Sequence, residues 1–317
     1  MSRRTYRLVL VLAAALAGLA LSVVPAGLIY NNNAERRSVA QYPQPARTIT
    51  VNGVRVHYLC EGDSDPPLVL LHAAPGSLVD WTPVFTLLSE RNRVCALDTP
   101  GYGWSDPLAG ASGLEAQATH LRTTLAALDI RRPVLVGHSL GGALALTAAA
   151  AEPRGFRGLA LLDPTTPFIA ESVRGDLGSL ARLRLLLPLG ISHLVESNAA
   201  EGLQRQRPSG SNDVSRGLAG QIASVNARTA VVDTLARNGS AIADDLAALE
   251  SKLGTVTTPT LVLAPSEQPP GLRAALDRLA QTLPDARIKQ IEDSRHYLHL
   301  AQPAAVTAAI REFMAER

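Results

Sequence analysis

The stretch VLVGHSLGGALAL at residues 134–146 decides the fold of this chain. A short apolar run leads into GHSLG, and a segment rich in alanine and leucine follows. This order of strand, G-x-S-x-G and helix predicts a sharp turn that holds the Ser139 hydroxyl above the end of a sheet. Gly137 and Gly141 carry no side chain at the point where strand and helix nearly touch. The alternative is a glycine-rich turn in which the serine is incidental.

Apolar runs typical of buried strands occur on both sides of that stretch, and segments with helical periodicity separate them. Two shorter strands flank Asn52-Gly53, a dipeptide typical of hairpin turns. Continuous apolar strands that alternate with helices predict an α/β fold with a mostly parallel sheet covered on both faces. The remaining strand candidates are LVLLH (68–72), VCALD (94–98), GLALLD (158–163), LVLA (261–264) and ARIKQI (286–291).

The alternation of strands and helices is interrupted once. Residues 164–253 contain no convincing strand, but they contain helical segments such as AIADDLAALESK. We therefore predict one α/β core formed by residues 46–163 and 254–317. Residues 164–253 are expected to form a helical lid inserted between two core strands.

The N-terminal segment is apolar and follows three arginines. Residues 8–30 carry no charge, and 23 residues rising about 1.5 Å each match a hydrocarbon core of about 30 Å. We predict a membrane anchor in residues 1–30 that packs little against the core, with a cleaved signal as the alternative. Residues 31–45 are polar and predict a linker. The core is then expected outside the cytoplasm, on a membrane or, for a cleaved signal, secreted.

Composition excludes several classes of protein. Thirty Lys and Arg residues against 28 Asp and Glu give a net charge of +2 over 317 residues, and no basic cluster indicates a nucleic-acid partner. Only two cysteines occur, Cys60 and Cys95, which are too few for a disulfide framework or a four-cysteine zinc site. Neither a metal nor a cofactor is predicted.

A serine nucleophile needs a base, and His296 is the best placed of the seven histidines. It lies in IEDSRHYLHLAQP, after the last predicted strand and before the final helix. Loops that follow parallel strands meet at one edge of a sheet, so His296 can reach Ser139. His299 is the alternative base, a few positions later. We expect the remaining histidines to be structural or exposed.

Taken together, these features resemble the α/β-hydrolase superfamily, and in particular a bacterial membrane-anchored branch with a helical lid. The resemblance implies an eight-stranded, mostly parallel sheet with helices on both faces. It covers residues 46–317 and rests on four motifs in order, LLHAAPG (70–76), LDTPGYGWSDP (97–107), GHSLGG (137–142) and SRHYLHLAQP (294–303).

The resemblance implies further roles. The first motif is similar to a His-Gly-x-Pro-Gly loop whose x residue gives an N–H to the oxyanion hole, which implies Ala74 as one donor and Leu140 as the second. Ala73 replaces the usual glycine of that loop. The family's sheet order also implies that Cys60 and Cys95 lie on antiparallel neighbours, within the disulfide Cα separation of about 4.4–6.8 Å. Two buried free thiols are the alternative.

A catalytic triad also needs an acid that orients the histidine base. The sequence leaves open which residue is that acid. In most of the superfamily it follows the strand that here reads TLVLA, but PSEQ places the neutral Gln268 at the usual aspartate position. Glu267 lies one residue before that usual aspartate position. Asp163 ends GLALLD, one strand closer to Ser139, and keeps the chain order Ser…Asp…His. We favour Asp163 over Glu267 as the acid, while the structural alternative is that Asp163 caps the inserted segment beside Pro164.

The sequence therefore predicts a serine hydrolase that cleaves carboxylic esters through an acyl-enzyme, with Ser139, His296 and Asp163 as its triad. The expected partner is a small, apolar ester, because the predicted lid is aliphatic. Alternatives on the same fold are amide hydrolysis, carbon–carbon bond hydrolysis and haloperoxidase-like chemistry. A catalytically inactive binding protein is the alternative from another class.

Overall fold

A computed structural model describes residues 3–41, 47–110, 112–189 and 216–316. Within these ranges one eight-stranded sheet has the order β1-β2-β4-β3-β5-β6-β7-β8. The strands are β1 (Arg47–Val51), β2 (Val54–Glu61), β3 (Leu68–Leu71), β4 (Val94–Leu97), β5 (Val134–His138), β6 (Gly158–Leu162), β7 (Thr260–Pro265) and β8 (Ala286–Ile291). β2 is antiparallel to β1 and to β4, and the other neighbours are parallel. The predicted fold class is confirmed.

Helices cover both faces of this sheet. The described helices, in chain order, are α1 (Arg3–Gln41), α2 (Thr82–Ser89), α3 (Leu114–Ala127), α4 (Leu140–Ala151), α5 (Ala170–Leu183), α6 (Arg216–Asn226), α7 (Thr229–Leu249), α8 (Pro270–Thr282), α9 (Leu298–Ala301) and α10 (Pro303–Ala315). Successive strand residues point to opposite faces. Leu135 of β5 packs in the cluster that includes α3 and α4, while Val134 and Val136 pack in the cluster that includes α2 and α10.

The segment between β6 and β7 is the predicted insertion. Its described part contains α5, α6 and α7, with 3₁₀ turns at Pro167–Ile169 and Arg184–Leu189. Residues 190–215 of the predicted lid lie outside the described residues. Because β6 and β7 are parallel sheet neighbours, the insertion leaves the core at the carboxyl end of β6 and the chain re-enters the sheet at the amino end of β7.

The N-terminal segment differs from the prediction. α1 continues from Arg3 to Gln41, so residues 31–41 of the predicted linker are helical, and residues 42–45 lie outside the described part of the chain. No helix in the described ranges combines the length and the hydropathy that crossing a membrane requires. The predicted membrane anchor, and the membrane location derived from it, are therefore wrong.

The second half of α1 contacts the inserted helices. Asn31 Nδ2 donates to the Leu187 carbonyl at 2.9 Å, and Ser224 donates to the Ser38 hydroxyl at 2.7 Å. Asn31 and Ser38 are seven residues apart and thus lie on one face of the helix. The residues Arg3–Leu12 are exposed. The expectation of little packing therefore holds for the first turns of α1 and fails for the last ones.

Cys60 and Cys95 form a disulfide that joins β2 to β4. The two residues are direct partners across the antiparallel strand pair, with Cα atoms 4.1 Å apart. This separation is slightly below the expected range, because directly opposed residues of an antiparallel pair approach closely. The cysteines are thus bonded and are not two free thiols.

Candidate active site

Ser139 lies at the turn between β5 and α4, with φ 52° and ψ −118°. A positive φ is costly for a residue other than glycine and often marks a functional turn. A Cβ added to Gly137 would lie 2.4 Å from the Gly141 carbonyl oxygen, and one added to Gly141 would lie 2.2 Å from the Leu71 carbonyl oxygen. Both glycines are therefore required for steric reasons. The turn between them places Ser139 at the carboxyl edge of the sheet.

Asp163 and His296 meet at the same edge. His296 Nδ1–H donates to Asp163 Oδ2 at 2.7 Å. The Asp163 side chain is 9% exposed, while that of His296 is 40% exposed. Because the carboxylate accepts the proton on Nδ1, it fixes the tautomer in which His296 Nε2 is free to accept a proton.

Ser139 Oγ is close to a second hydroxyl. In the described part of the chain its hydrogen-bond partner is Thr165 Oγ1, at 3.4 Å, and not His296. Ser139, Asp163, Thr165 and His296 nevertheless line one cavity. A loose nucleophile–base pair is common in ligand-free sites, since such hydrogen bonds tighten when substrate binds.

The alternative residues from the sequence lie elsewhere. Glu267 pairs with Arg295 at 2.8 Å. The Gln268 side-chain amide is buried without a hydrogen-bond partner among the described residues. His299 is fully buried, and burial lowers its pKa to about 3. Of the two candidate bases, His296 is the one that lines the cavity.

His138 links the nucleophile turn to the base, a relationship that sequence reasoning missed. Its Nε2–H donates to the His296 backbone carbonyl at 2.9 Å, and the two rings lie 4.6 Å apart. His138 is fully buried, which lowers its pKa well below the ordinary value, and the neighbouring His299 and His296 lower it further. A neutral ring therefore holds the base beside the turn. The motif offers no signal for this contact, because the acceptor is a backbone atom.

The loop that contains Ala73 and Ala74 lies across from the start of α4. Leu140 is the first residue of α4, so its N–H has no acceptor within the helix. Ala74 and Leu140 line a common cavity of about 20 Å³. His72 shapes the loop, since its Nδ1–H donates to the Ala73 carbonyl at 2.5 Å and its Nε2 accepts the Thr99 N–H at 3.0 Å. Both N–H donors assigned by the resemblance thus lie beside the serine turn.

Asp80 is a buried acid that the sequence analysis did not single out. Its Oδ2 accepts the Ser77 N–H at 3.3 Å, in a capping box that begins a 3₁₀ turn. Burial raises the pKa of Asp80 to about 8. The S-x-x-D spacing of a capping box was the available signal for the turn, but it gives no indication of burial.

The cavity at Ser139 has a volume of about 150 Å³. Its remaining walls are mainly aliphatic and are formed by Pro164, Ile169, Leu272, Ala275 and Leu276, together with Thr166. No group of three or more His, Cys, Asp or Glu side chains in the described residues is placed to hold a metal ion. The site therefore offers a hydroxyl, an imidazole–carboxylate pair and an apolar pocket.

Sequence comparison places these features in a known context. The family pattern described as the alpha/beta hydrolase fold matches residues 66–303. A 2-hydroxymuconate semialdehyde hydrolase from Pseudomonas putida is 29% identical over 289 residues, covering 87% of this chain and 96% of the relative. An uncharacterized protein of Mycobacterium tuberculosis is 34% identical over 141 residues, which cover 44% of this chain and 39% of that protein. The chain thus spans about two fifths of the length of that relative.

Solved structures also superpose on most of the chain. A thermophilic esterase from Thermogutta terrifontis superposes with a TM-score of 0.66 at 24% identity, covering 86% of this chain and 98% of the esterase. A membrane phospholipase A superposes with a TM-score of 0.65 at 22% identity, covering 99% of this chain and 98% of the phospholipase. At these identities the likeness extends to the fold alone.

Proposed function

Because the chain belongs to the alpha/beta hydrolase fold family, in which Ser-His-acid sites are common, we propose that it is a serine hydrolase of carboxylic esters. Ser139 is the nucleophile, His296 the base and Asp163 the acid. The observation that carries the proposal is the hydrogen bond of 2.7 Å between His296 Nδ1 and Asp163 Oδ2, beside a serine with φ 52°.

The first half-reaction forms the acyl-enzyme. Ser139 Oγ turns from Thr165 toward His296, attacks the ester carbonyl and gives its proton to His296 Nε2. The Asp163 carboxylate stabilises the imidazolium that forms. His296 then gives the proton to the leaving alcohol. In the second half-reaction, water replaces the alcohol and the same groups release the acid.

The oxyanion is held by the N–H groups of Ala74 and Leu140. The Leu140 N–H lies at the positive end of the α4 dipole, which favours a developing negative charge. The His72 bond to the Ala73 carbonyl supports the loop geometry despite the replaced glycine. Loss of one such donor is expected to cost about 10²–10³ in kcat.

The inserted segment is proposed to act as a lid over the site. Pro164, Thr165 and Ile169, at its start, line the cavity. The aliphatic walls favour an apolar ester. Since residues 190–215 lie outside the described part of the chain, the proposal rests on this first portion of the insertion.

Carbon–carbon bond hydrolysis is the second candidate. It is favoured by the Pseudomonas putida relative, a 2-hydroxymuconate semialdehyde hydrolase that matches 87% of this chain. The same serine and histidine would serve either substrate. Only the group that leaves the tetrahedral centre differs, being carbon in one case and oxygen in the other.

The experiment is a panel of p-nitrophenyl esters of increasing acyl length, with 2-hydroxymuconate semialdehyde in parallel. The wild type should hydrolyse at least one ester, and Ser139→Ala should lose about 10⁴-fold or more in kcat while remaining folded. Ser251→Ala, which removes an exposed hydroxyl, is the control and should be unchanged. If the enzyme hydrolysed the semialdehyde but none of the esters, the second candidate would be favoured. Ester turnover retained by Ser139→Ala would refute both.

A further inference from the structure

Two grooves lie at the amino edge of the sheet, with volumes of about 410 Å³ and about 760 Å³. Because β5, β6 and β7 run parallel, this edge is opposite the carboxyl edge that carries Ser139. Three loops line the grooves together with the end of α3. These are residues 129–133 before β5, residues 152–157 before β6 and residues 257–259 before β7. The grooves are therefore separate from the candidate active site.

Hydrogen bonds between the three loops hold this edge in place. The Arg157 N–H donates to the Pro133 carbonyl at 3.0 Å, and the Thr258 hydroxyl donates to the Pro153 carbonyl at 3.0 Å. Phe156 is buried and lines both grooves. A ligand that binds to loops already fixed in this way has little ordering of the protein to offset.

Arginines outnumber acids in the lining of the two grooves. The arginines are Arg122, Arg131, Arg132, Arg154 and Arg157. Asp129 is the partner of Arg131, at 3.0 Å. Glu152 approaches Arg122 at 3.7 Å. The described residues of the lining include no other acid, so a surplus of positive charge remains.

Arg132 and Arg154 are the two arginines that line both grooves. Both are exposed, and within the described ranges neither side chain has an ion-pair or hydrogen-bond partner. A guanidinium group can donate two parallel hydrogen bonds to the oxygens of one phosphoryl group. The wall shared by the grooves thus offers two unoccupied guanidinium groups to an anion.

We propose that this shared wall binds a small molecule that carries a di- or triphosphate group. Arg132 and Arg154 each contact one phosphoryl group, and the ring of Phe156 supplies an apolar part of the wall. A polyphosphate matches the surplus positive charge better than a single carboxylate does. The concave shape favours a small molecule. The site is independent of the proposed function, which uses the opposite edge of the sheet.

Isothermal titration calorimetry of the full chain with sodium tripolyphosphate tests the site. Low ionic strength is used, because salt screens interactions between exposed charges. The wild type should give a saturating isotherm with one anion per chain. Arg132→Gln/Arg154→Gln should weaken binding about tenfold or more, since hydrogen bonds to charged groups are lost. A wild type that shows no saturable binding would overturn the proposal.

A charge-matched variant separates this site from general attraction to a basic protein. Arg91→Gln/Arg182→Gln removes two charges at exposed positions outside the grooves. It should bind tripolyphosphate within about twofold of the wild type, because remote exposed charges are screened. Equal weakening in the two double variants would overturn the assignment. Thermal unfolding of each variant should match the wild type, since all four side chains are exposed.

A second pair of substitutions tests the role of the guanidinium groups. Arg132→Lys/Arg154→Lys keeps both charges but cannot form the paired hydrogen bonds. Its affinity for tripolyphosphate should fall below that of the wild type and stay above that of the glutamine variant. Full retention of affinity in the lysine variant would overturn the role given to Arg132 and Arg154.

Lipid headgroups are a second source of phosphate, and a parallel measurement distinguishes them. Phosphatidylglycerol vesicles at the same phosphate concentration are sedimented with the protein. Tripolyphosphate should bind, and the vesicles should retain the wild type no more than they retain Arg132→Gln/Arg154→Gln. Vesicle binding that needs Arg132 and Arg154, without binding of tripolyphosphate, would overturn the small-molecule assignment. Neither measurement requires catalysis, so failure of the proposed function would leave both results interpretable.

Discussion

Asp163 Oδ2 accepts a hydrogen bond from His296 Nδ1 at 2.7 Å across 133 residues of sequence. The contact is possible because β6 is the sheet neighbour of β5, so Asp163 leaves the sheet one strand away from Ser139. Asp163 has φ 39°, an uncommon backbone conformation that sets the direction of its carboxylate. Glu267 follows the end of β7, and its carboxylate forms an ion pair with Arg295.

The backbone at Ser139 predicts a stability difference between two inactive variants. Glycine adopts φ 52° without the steric cost that any side chain carries. Ser139→Gly should therefore be more stable than Ser139→Ala by about 1 kcal/mol, although neither hydrolyses esters. Urea denaturation followed by circular dichroism measures the difference. A glycine variant less stable than the alanine variant would show that the turn is unstrained.

Asp80 predicts a pH-dependent loss of stability. Burial raises the pKa of Asp80 from 3.8 to about 8, so the unfolded chain releases this proton at lower pH than the folded protein does. The contribution of the protonated Asp80 carboxyl to the free energy of unfolding is complete below about pH 4. It declines above that pH and is lost as pH rises through about 8. Asp80→Asn cannot ionise, so its stability relative to the wild type should increase between pH 5 and pH 8. Asp129→Asn, at an exposed position, is the control for thermal unfolding at each pH. Parallel curves for wild type and Asp80→Asn would contradict the prediction.

The disulfide predicts a thiol count and a stability change. Denatured, unreduced protein should contain no thiol that reacts with Ellman's reagent, and reduction should release two, from Cys60 and Cys95. A cross-link closing a loop of 35 residues stabilises by about 4 kcal/mol in the chain-entropy description. The Cys60→Ala/Cys95→Ala protein should therefore unfold at lower urea concentration. Two reactive thiols before reduction would mean that the bond does not form.

The sheet and the serine turn could be predicted because their signals are local. The central strands β3 to β7 are short, mostly apolar runs, and G-x-S-x-G is determined by close contacts such as that between Gly141 and the Leu71 carbonyl. For the acid of the triad, the sequence left two candidates, Asp163 and Glu267. The direction of a side chain beyond a strand end depends on the backbone there, and the positive φ of Asp163 has no pattern in the sequence.

Two other features depend on tertiary contacts. The helical continuation of α1 is accompanied by hydrogen bonds from Asn31 and to Ser38 that involve residues more than 150 positions away. Sequence periodicity alone cannot reveal such partners. The same limit applies to His138, whose acceptor is the His296 carbonyl. In both cases the decisive contact lies between distant segments rather than within a motif.

The rate at which a fluorophosphonate labels Ser139 tests the proposed triad most directly. It is measured in the wild type, Asp163→Asn and Glu267→Gln, with peptide mapping to identify the labelled serine. Asp163→Asn should slow labelling by about 10⁴-fold, because the amide favours the wrong tautomer of the base. Glu267→Gln loses only an exposed ion pair with Arg295 and should label within about twofold of the wild type. Rapid labelling of Asp163→Asn together with slow labelling of Glu267→Gln would contradict the account.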